Sequence, residues 1–337
     1  KWPNYTLPAL RPTFQPPAFV PPHSILILPT PSTLDTFPFY KSACALRELA
    51  EVNQVQEQFN ATAESIVRDP SLGWQTQFLI PNGLKPSTNY TVWVTQGPKI
   101  SGPLYMYTKS ESFSQSCILV HSLSYCPMVS YPVPLPASGF STTDPNATPT
   151  VDESTLPAAI ASSVTGSLTN FSTLLSTFPC GRDVYSPLHS CADCYDAYRT
   201  WACFVSFPRC TEPLPGSPTT PTSSGSSSTV DPQVPFALKP RPAQSLPRAA
   251  GFPSPTTAYT ELLPCIESCQ AVRRTCPPFL GWACPVPDVN AAESYALGVW
   301  DSWNGLIPGG GLLGQADMGN GTVSVTDQFG RIWCNGA

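Results

Sequence analysis

Charge is in short supply in this sequence, and so is histidine. Charged residues fill 12% of the 337 positions, half the usual ~25%. The 17 Lys and Arg against 22 Asp and Glu leave a formal net charge of −5. No basic stripe exists to neutralise phosphates, which excludes a nucleic-acid binder. Long apolar runs are missing too. Ser24–Leu28, "SILIL", falls far short of the ~20 residues that a membrane-spanning helix needs. The three histidines, His23, His121 and His189, sit in unrelated contexts. Neither Gly-x-Ser-x-Gly nor His-Glu-x-x-His occurs, which leaves a hydrolase without its usual machinery. Asp152-Glu153 reads as a pair of solvated loop charges rather than a glycosidase dyad. No EF-hand spacing of acids is present. The expectation is a non-enzyme without catalytic residues, metal or cofactor. The chain starts at Lys1 rather than Met, as a processed or trimmed secretory protein would.

What is abundant is proline, 42 residues, and cysteine, 13 residues. Three histidines are too few for zinc to explain that many cysteines. Disulfides explain them, and disulfides imply the secretory pathway through the endoplasmic reticulum to an extracellular location. Six Asn-x-Ser/Thr sequons agree, at Asn4, Asn60, Asn89, Asn146, Asn170 and Asn320. The chain reads as an extracellular glycoprotein.

Three regions follow from pattern. Residues 1–19 are proline-rich and extended in the polyproline manner. Residues 20–112 form a β-rich, sandwich-like domain. In "WQTQFLI", Trp74, Thr76, Phe78 and Ile80 alternate with mostly polar neighbours; "YTVWV" is a second strand, and "PLYMYTKS" supplies the last. Between them, Leu84–Tyr90 is either a tyrosine corner, as in fibronectin-type sandwiches, or an ordinary proline turn. A short helix is expected over Ser42–Glu57. Residues 113–337 form a cysteine-rich, mainly helical domain, which makes the whole chain α+β. In it Ile160, Val164, Leu168, Phe171, Leu175 and Phe178 recur at steps of 4, 4, 3, 4 and 3, one face of an amphipathic helix. A second helix is expected on "SCADCYDAYRTWACF" and a third on "TELLPCIESCQAVRRTC", with Cys265, Cys269 and Cys276 on one face. Low-complexity insertions at about 132–155 and 211–258 cannot bury enough apolar surface to order themselves. Cys191-Ala-Asp-Cys194 has a redox motif's form without the βαβ setting that thioredoxin-like chemistry requires.

The cysteine order carries a resemblance. "PCIESCQAVRRTCPP" is similar to the helix of the frizzled-type cysteine-rich domain, with its Cys-x3-Cys-x6-Cys spacing. Cys203 to Cys210 matches that domain's Cys-x6-Cys, and "FSTLLSTFPC" resembles the helix ending in its third cysteine. "CILVHSLSYCPMVSY" resembles its opening strand and following helix. That resemblance implies the pairs Cys117–Cys210, Cys126–Cys203, Cys180–Cys276 and Cys269–Cys284, with Cys334 left for Cys265. Cys44, Cys191 and Cys194 remain unassigned. Taken with "CADCYDAYRTWACFVSFPRC", the region from Cys117 onward resembles the fungal Mid family, extracellular regulatory subunits of the high-affinity or stretch-activated calcium channel.

This family implies an auxiliary protein on the outer face of the plasma membrane, bound to a four-repeat pore-forming subunit and supporting calcium influx. Tyr195, Phe204, Phe279 and Trp282 are candidates for binding that partner; Tyr198 and Trp201, which share a helical face with Cys194, are assigned to the core. The competing reading is a secreted or anchored module that holds a lipid or sterol in a pocket between the Ile160–Phe178 and Cys265–Cys276 helices.

Overall fold

The structure is a computed structural model. It describes residues 23–30, 62–69, 73–80, 83–96, 99–136, 139–140, 149–178, 185–186, 188–212, 238–249, 251–286, 290–291, 294–296 and 334–336. The described residues fall into two compact units, one within Thr13–Ser114 and Ser138–Pro149, the other within Gln115–Ala137 and Thr150–Ala337. The expected segment 1–19, the helix over Ser42–Glu57, Cys44, Cys180, and the sequons at Asn4, Asn60, Asn146 and Asn320 lie outside the described residues.

The first unit is antiparallel β structure. Strands β1 (Ser24–Pro29), β4 (Asn89–Gln96) and β5 (Lys99–Tyr107) form a sheet in the order β1-β4-β5, while β2 (Thr62–Asp69) pairs with β3 (Gly73–Leu79). Period-2 alternation puts Thr91, Trp93 and Thr95 of β4 inside. Leu26, Ile27 and Leu28 of β1 are all buried. The turn before β4 is a tyrosine corner: the hydroxyl of the buried Tyr90 accepts the Lys85 N–H at 2.8 Å. Opposite, the Thr108 hydroxyl donates to the Lys85 carbonyl at 2.6 Å and accepts from Thr88 N–H at 2.9 Å. The six residues from Lys85 to Tyr90 are thereby closed on themselves, so the chain enters the strand at a set angle.

A single helical turn, α1 (Phe113–Ser116), precedes β6 (Ile118–Val120). In the second unit β6 sits between antiparallel β7 (Tyr131–Val133) and parallel β8 (Thr150–Val151). Three helices follow: α2 (Ala158–Ser176), α3 (Cys191–Ser206) and α4 (Ile266–Thr275). The antiparallel sheet β10-β11-β9 joins Leu238–Arg241, Tyr259–Leu262 and Arg209–Thr211. In α2 the five periodic residues Ile160, Val164, Leu168, Phe171 and Leu175 are the buried ones. The start of α3 is a capping box: the Ser190 hydroxyl accepts the Asp193 N–H and the Asp193 carboxylate accepts the Ser190 N–H at 2.7 Å. Those bonds to Ser190 hold the Asp193 carboxyl below its ordinary range. They satisfy two donors that a helix start otherwise leaves open.

Three expectations need correction. The third helix begins at Ile266, because Tyr259–Leu262 is the central strand β11 and Cys265 is the helix N-cap. The chain after Cys126 makes a turn, with Val129 N–H donating to the Cys126 carbonyl, and enters β7; prolines 127, 132, 134 and 136 remove the donors a helix would need there. The tracts read as low complexity are ordered at their ends. Val133, Leu135 and Val151 are buried, and Leu238–Arg241 forms β10.

Charge explains why β10 and the segment after it are ordered. Glu261 on β11 is fully buried; Arg241 Nε donates to one carboxylate oxygen at 2.6 Å and Arg248 to the other at 2.8 Å. Arg248 also donates to the Ser294 carbonyl. A buried carboxylate is stable only when paired and hydrogen-bonded, so Glu261 and the two arginines hold each other in place. Burial, reinforced by this carboxylate, pushes the nearby Tyr259 phenol up to about 12. The polypeptide then turns at Gln244, whose N–H donates to the Pro255 carbonyl, and packs Ala249 and Phe252 inside.

Candidate docking site

Five disulfides are described in the second unit: Cys117–Cys210, Cys126–Cys203, Cys194–Cys276, Cys265–Cys334 and Cys269–Cys284. The frizzled-type pairing gave Cys276 to Cys180, but in the structure its partner is Cys194. Cys194 lies one turn into α3 on the side packed against α4, in the same buried cluster as Val272, with its Cα 4.5 Å from that of Cys276. Cys191 is also disulfide-bonded. Since Cys194 is bonded to Cys276, Cys191-x-x-Cys194 is not a redox dithiol. Cys265, Cys269 and Cys276 do not act as one face: they occupy the N-cap, the interior and the C-cap of α4 and reach three different partners.

Helix α3 lies between α2 and α4 and packs against both. Phe171, Leu175, Cys194, Tyr195, Val272 and Cys276 make one buried cluster spanning all three, so α3 side chains occupy the space where a lipid pocket was expected. This placement sorts the aromatic candidates. Tyr195 is wholly buried and Phe204 is 4% exposed, so neither can meet a partner. Burial raises the Tyr195 phenol, whose hydroxyl has no hydrogen-bond partner among the described residues. Tyr198 stacks on Phe171 with ring centroids 3.7 Å apart and meets Trp282 edge-on; Trp282 also meets Trp201 edge-on at 4.8 Å. Trp201 Nε1 donates to the Tyr295 hydroxyl at 2.9 Å. Trp282 is half-buried and serves as the outer wall of this ring cluster, whereas Phe279 is 61% exposed.

Phe279 belongs to a stapled apolar loop. From Cys276 to Val286 no residue is ionisable. Cys194 holds its start and Cys269 holds Cys284 near its end. A 3-10 turn over Pro278–Leu280 closes on Gly281 at φ 65°, a left-handed position that suits glycine. Phe279 meets Phe178 edge-on at 4.8 Å, and Leu174, one turn earlier on α2, is 44% exposed. Sequence reasoning missed Leu174 and Val286, and it placed Phe178 on the buried helical stripe, whereas α2 ends at Ser176 and Phe178 is half-buried beyond it. Leu174 sits off the buried stripe of α2, and helical spacing alone signals that a leucine there faces outward.

A second cluster ties residues 334–336 to β7 and the start of α4. The Tyr131 hydroxyl donates to the Phe207 carbonyl at 3.0 Å and accepts from Asn335 Nδ2 at 3.2 Å. The Arg209 guanidinium lies 5.3 Å over the Tyr131 ring. Burial pushes the Tyr131 phenol up and the Arg209 guanidinium down. Asn335 also exchanges backbone bonds with Leu263 and Cys265. A Cβ on Gly336 would meet Cys265 Sγ at 2.7 Å. Among the described residues the metal-ligating group with suitable spacing is Cys265, Glu267 and Cys334; its two sulfurs are bonded to each other, so neither is a thiolate donor.

Among the described residues no helix is long and apolar enough to cross a membrane. Residues 16–305 match the family Mid1, described as a stretch-activated Ca2+-permeable channel component. The chain is 31% identical over 359 aligned positions, 99% of its own length, to the stretch-activated cation channel MID1 of Cryptococcus neoformans var. grubii, covering 55% of that protein. It is 29% identical over 63% of its length to the protein of the same name in Saccharomyces cerevisiae, covering 36% of it. It is 28% identical over 82% of its length to the stretch-activated cation channel yam8 of Schizosaccharomyces pombe, covering 52% of it. It thus spans about half, or less, of the relatives it matches. No solved structure matches it. The relatives are named as channel components, not enzymes. An α+β chain with a disulfide-built helical unit and a match across residues 16–305, it belongs to the Mid1 family of stretch-activated Ca2+-permeable channel components.

Proposed function

We propose that this chain is the extracellular auxiliary part of a fungal plasma-membrane calcium channel, delivered through the endoplasmic reticulum. It binds the outer face of a four-repeat pore-forming subunit and supports calcium influx through it. The observation that carries this reading is the family match across residues 16–305, to a channel component. The disulfide framework supports it, because a surface fixed before binding loses less conformational freedom on association. Asn89 and Asn170, both exposed, are sites for N-linked glycans in the same reading.

The test is co-purification of the tagged, full-length protein from fungal membranes in mild detergent, with calcium uptake measured in cells that lack it. A channel-sized subunit in the eluate, together with restored uptake, is the expected result. Recovery of the protein alone, with uptake unchanged by its loss, overturns the reading.

A further inference from the structure

The stapled loop presents an apolar, uncharged surface. Pro278, Phe279, Gly281, Ala283 and Val286 are exposed, Phe279 to 61% and Val286 to 54%, and none has a polar side-chain atom. Pro277, Pro278 and Pro285 have no N–H. The N–H groups of Leu280 and Gly281 are already bonded to the carbonyls of Pro277 and Pro278. Beside the loop, α2 has no ionisable residue along its whole length. Its hydroxyls at Thr165, Ser167, Thr169, Thr173 and Ser176 donate to carbonyls four residues earlier in the same helix. A protein interface carries about one hydrogen bond per 100–200 Å², and the exposed side chains of the loop have none to give. Hydrocarbon asks for none.

At the root of the loop stand two cations. Arg273 and Arg274, in the last turn of α4, are exposed and have no ion-pair partner among the described residues. Exposed apolar side chains on a loop that two exposed arginines precede in the chain suit a bilayer surface, with its acyl boundary and its phosphates.

We propose that residues Cys276–Val286 form a bilayer-contact loop. Phe279 and Val286 enter the interfacial region of a lipid membrane while Arg273 and Arg274 pair with headgroup phosphates. The bridges Cys194–Cys276 and Cys269–Cys284 hold the loop in its inserting shape before contact. This surface does not require the pore-binding reading and would orient the helical unit against the membrane on its own.

The experiment is co-sedimentation of the full-length protein with vesicles of phosphatidylcholine alone and of phosphatidylcholine mixed with phosphatidylglycerol. The wild type should bind both, and the anionic vesicles more tightly. The double variant Phe279→Ser/Val286→Ser should lower partitioning onto both kinds at least ~10-fold, given the apolar area withdrawn. Arg273→Gln/Arg274→Gln should weaken binding mainly to the anionic vesicles, by roughly 10-fold or more. Intact bridges in a non-reducing peptide map and an unchanged unfolding midpoint establish that each variant is folded. No vesicle binding by the wild type overturns the proposal, and so does binding that the folded Phe279→Ser/Val286→Ser variant retains. If that variant instead loses a co-purifying protein while the wild type ignores vesicles, the loop is a protein interface and the proposal also falls.

Discussion

Glu261 and Tyr195 show how differently two buried polar groups can stand. Glu261 is fully buried but has an arginine on each carboxylate oxygen, 20 and 13 residues away in sequence. Glu261→Ala would leave Arg241 and Arg248 facing each other without a counter-charge, a loss of about 3–5 kcal/mol; urea unfolding of the two proteins measures it. The Tyr195 hydroxyl has no such partner among the described residues. Leaving a buried hydroxyl unpaired costs about 1–3 kcal/mol, so Tyr195→Phe should be neutral or stabilising by up to roughly that amount. A loss above 1 kcal/mol in the same assay would mean that the hydroxyl has a partner. Tyr195 also lay among the residues expected to bind a partner, since an aromatic on a helix beside a disulfide suits an interface or a core equally well. Local sequence does not say that α3 is covered on two sides, by α2 and by α4.

At the level of elements, legibility follows how local each cause is. Helix α2 was readable because its apolar steps are written within 19 residues; Leu84–Tyr90 was readable as a turn, and only the Lys85 N–H to Tyr90 hydroxyl bond decides between its two readings. The start of α4 was not readable. Thr260-Glu-Leu-Leu263 looks helical in isolation, and what makes Tyr259–Leu262 a strand is pairing with Arg209–Thr211 and Leu238–Arg241. The second of those segments lies in a tract that composition marks as unable to order itself; its ordering depends on Glu261. Another junction can be tested directly. Gly251, at φ 85°, lies so close to α2 that a Cβ would meet the Ala159 carbonyl oxygen at 2.7 Å and the Ile160 Cα at 3.1 Å. Gly281, at φ 65°, has nothing within 4 Å. Gly281→Ala should therefore cost only the left-handed strain, about 1–2 kcal/mol. Gly251→Ala adds a clash with backbone that cannot swing aside and should cost about 1–3 kcal/mol more. Thermal unfolding of the pair separates the two effects, and equal losses would refute the close packing on α2.

Over the whole second unit, the disulfides do what a core alone would do less well in a sequence so rich in Ser, Thr and Pro. The short bridge Cys269–Cys284 closes 15 residues, for which loop-closure entropy gives about 3 kcal/mol. Cys269→Ser/Cys284→Ser should lower stability by about that amount while leaving the other bridges in place, as a non-reducing peptide map would report. Retained stability would show that the loop is held by its rings and not by the bridge. The longer bridges have a further consequence, one of timing. Tyr131 and Asn335, which complete one buried cluster, are 204 residues apart, and Cys334 beside Asn335 returns to Cys265. During synthesis the unit therefore has its strands and its helices α2, α3 and α4, the last ending at Thr275, long before the residue that seals them exists. It can close only after residue 335 has left the ribosome, and until then Cys265 waits as a free thiol open to wrong partners. An oxidising compartment that can also reshuffle mistaken bridges is part of what this fold requires to form.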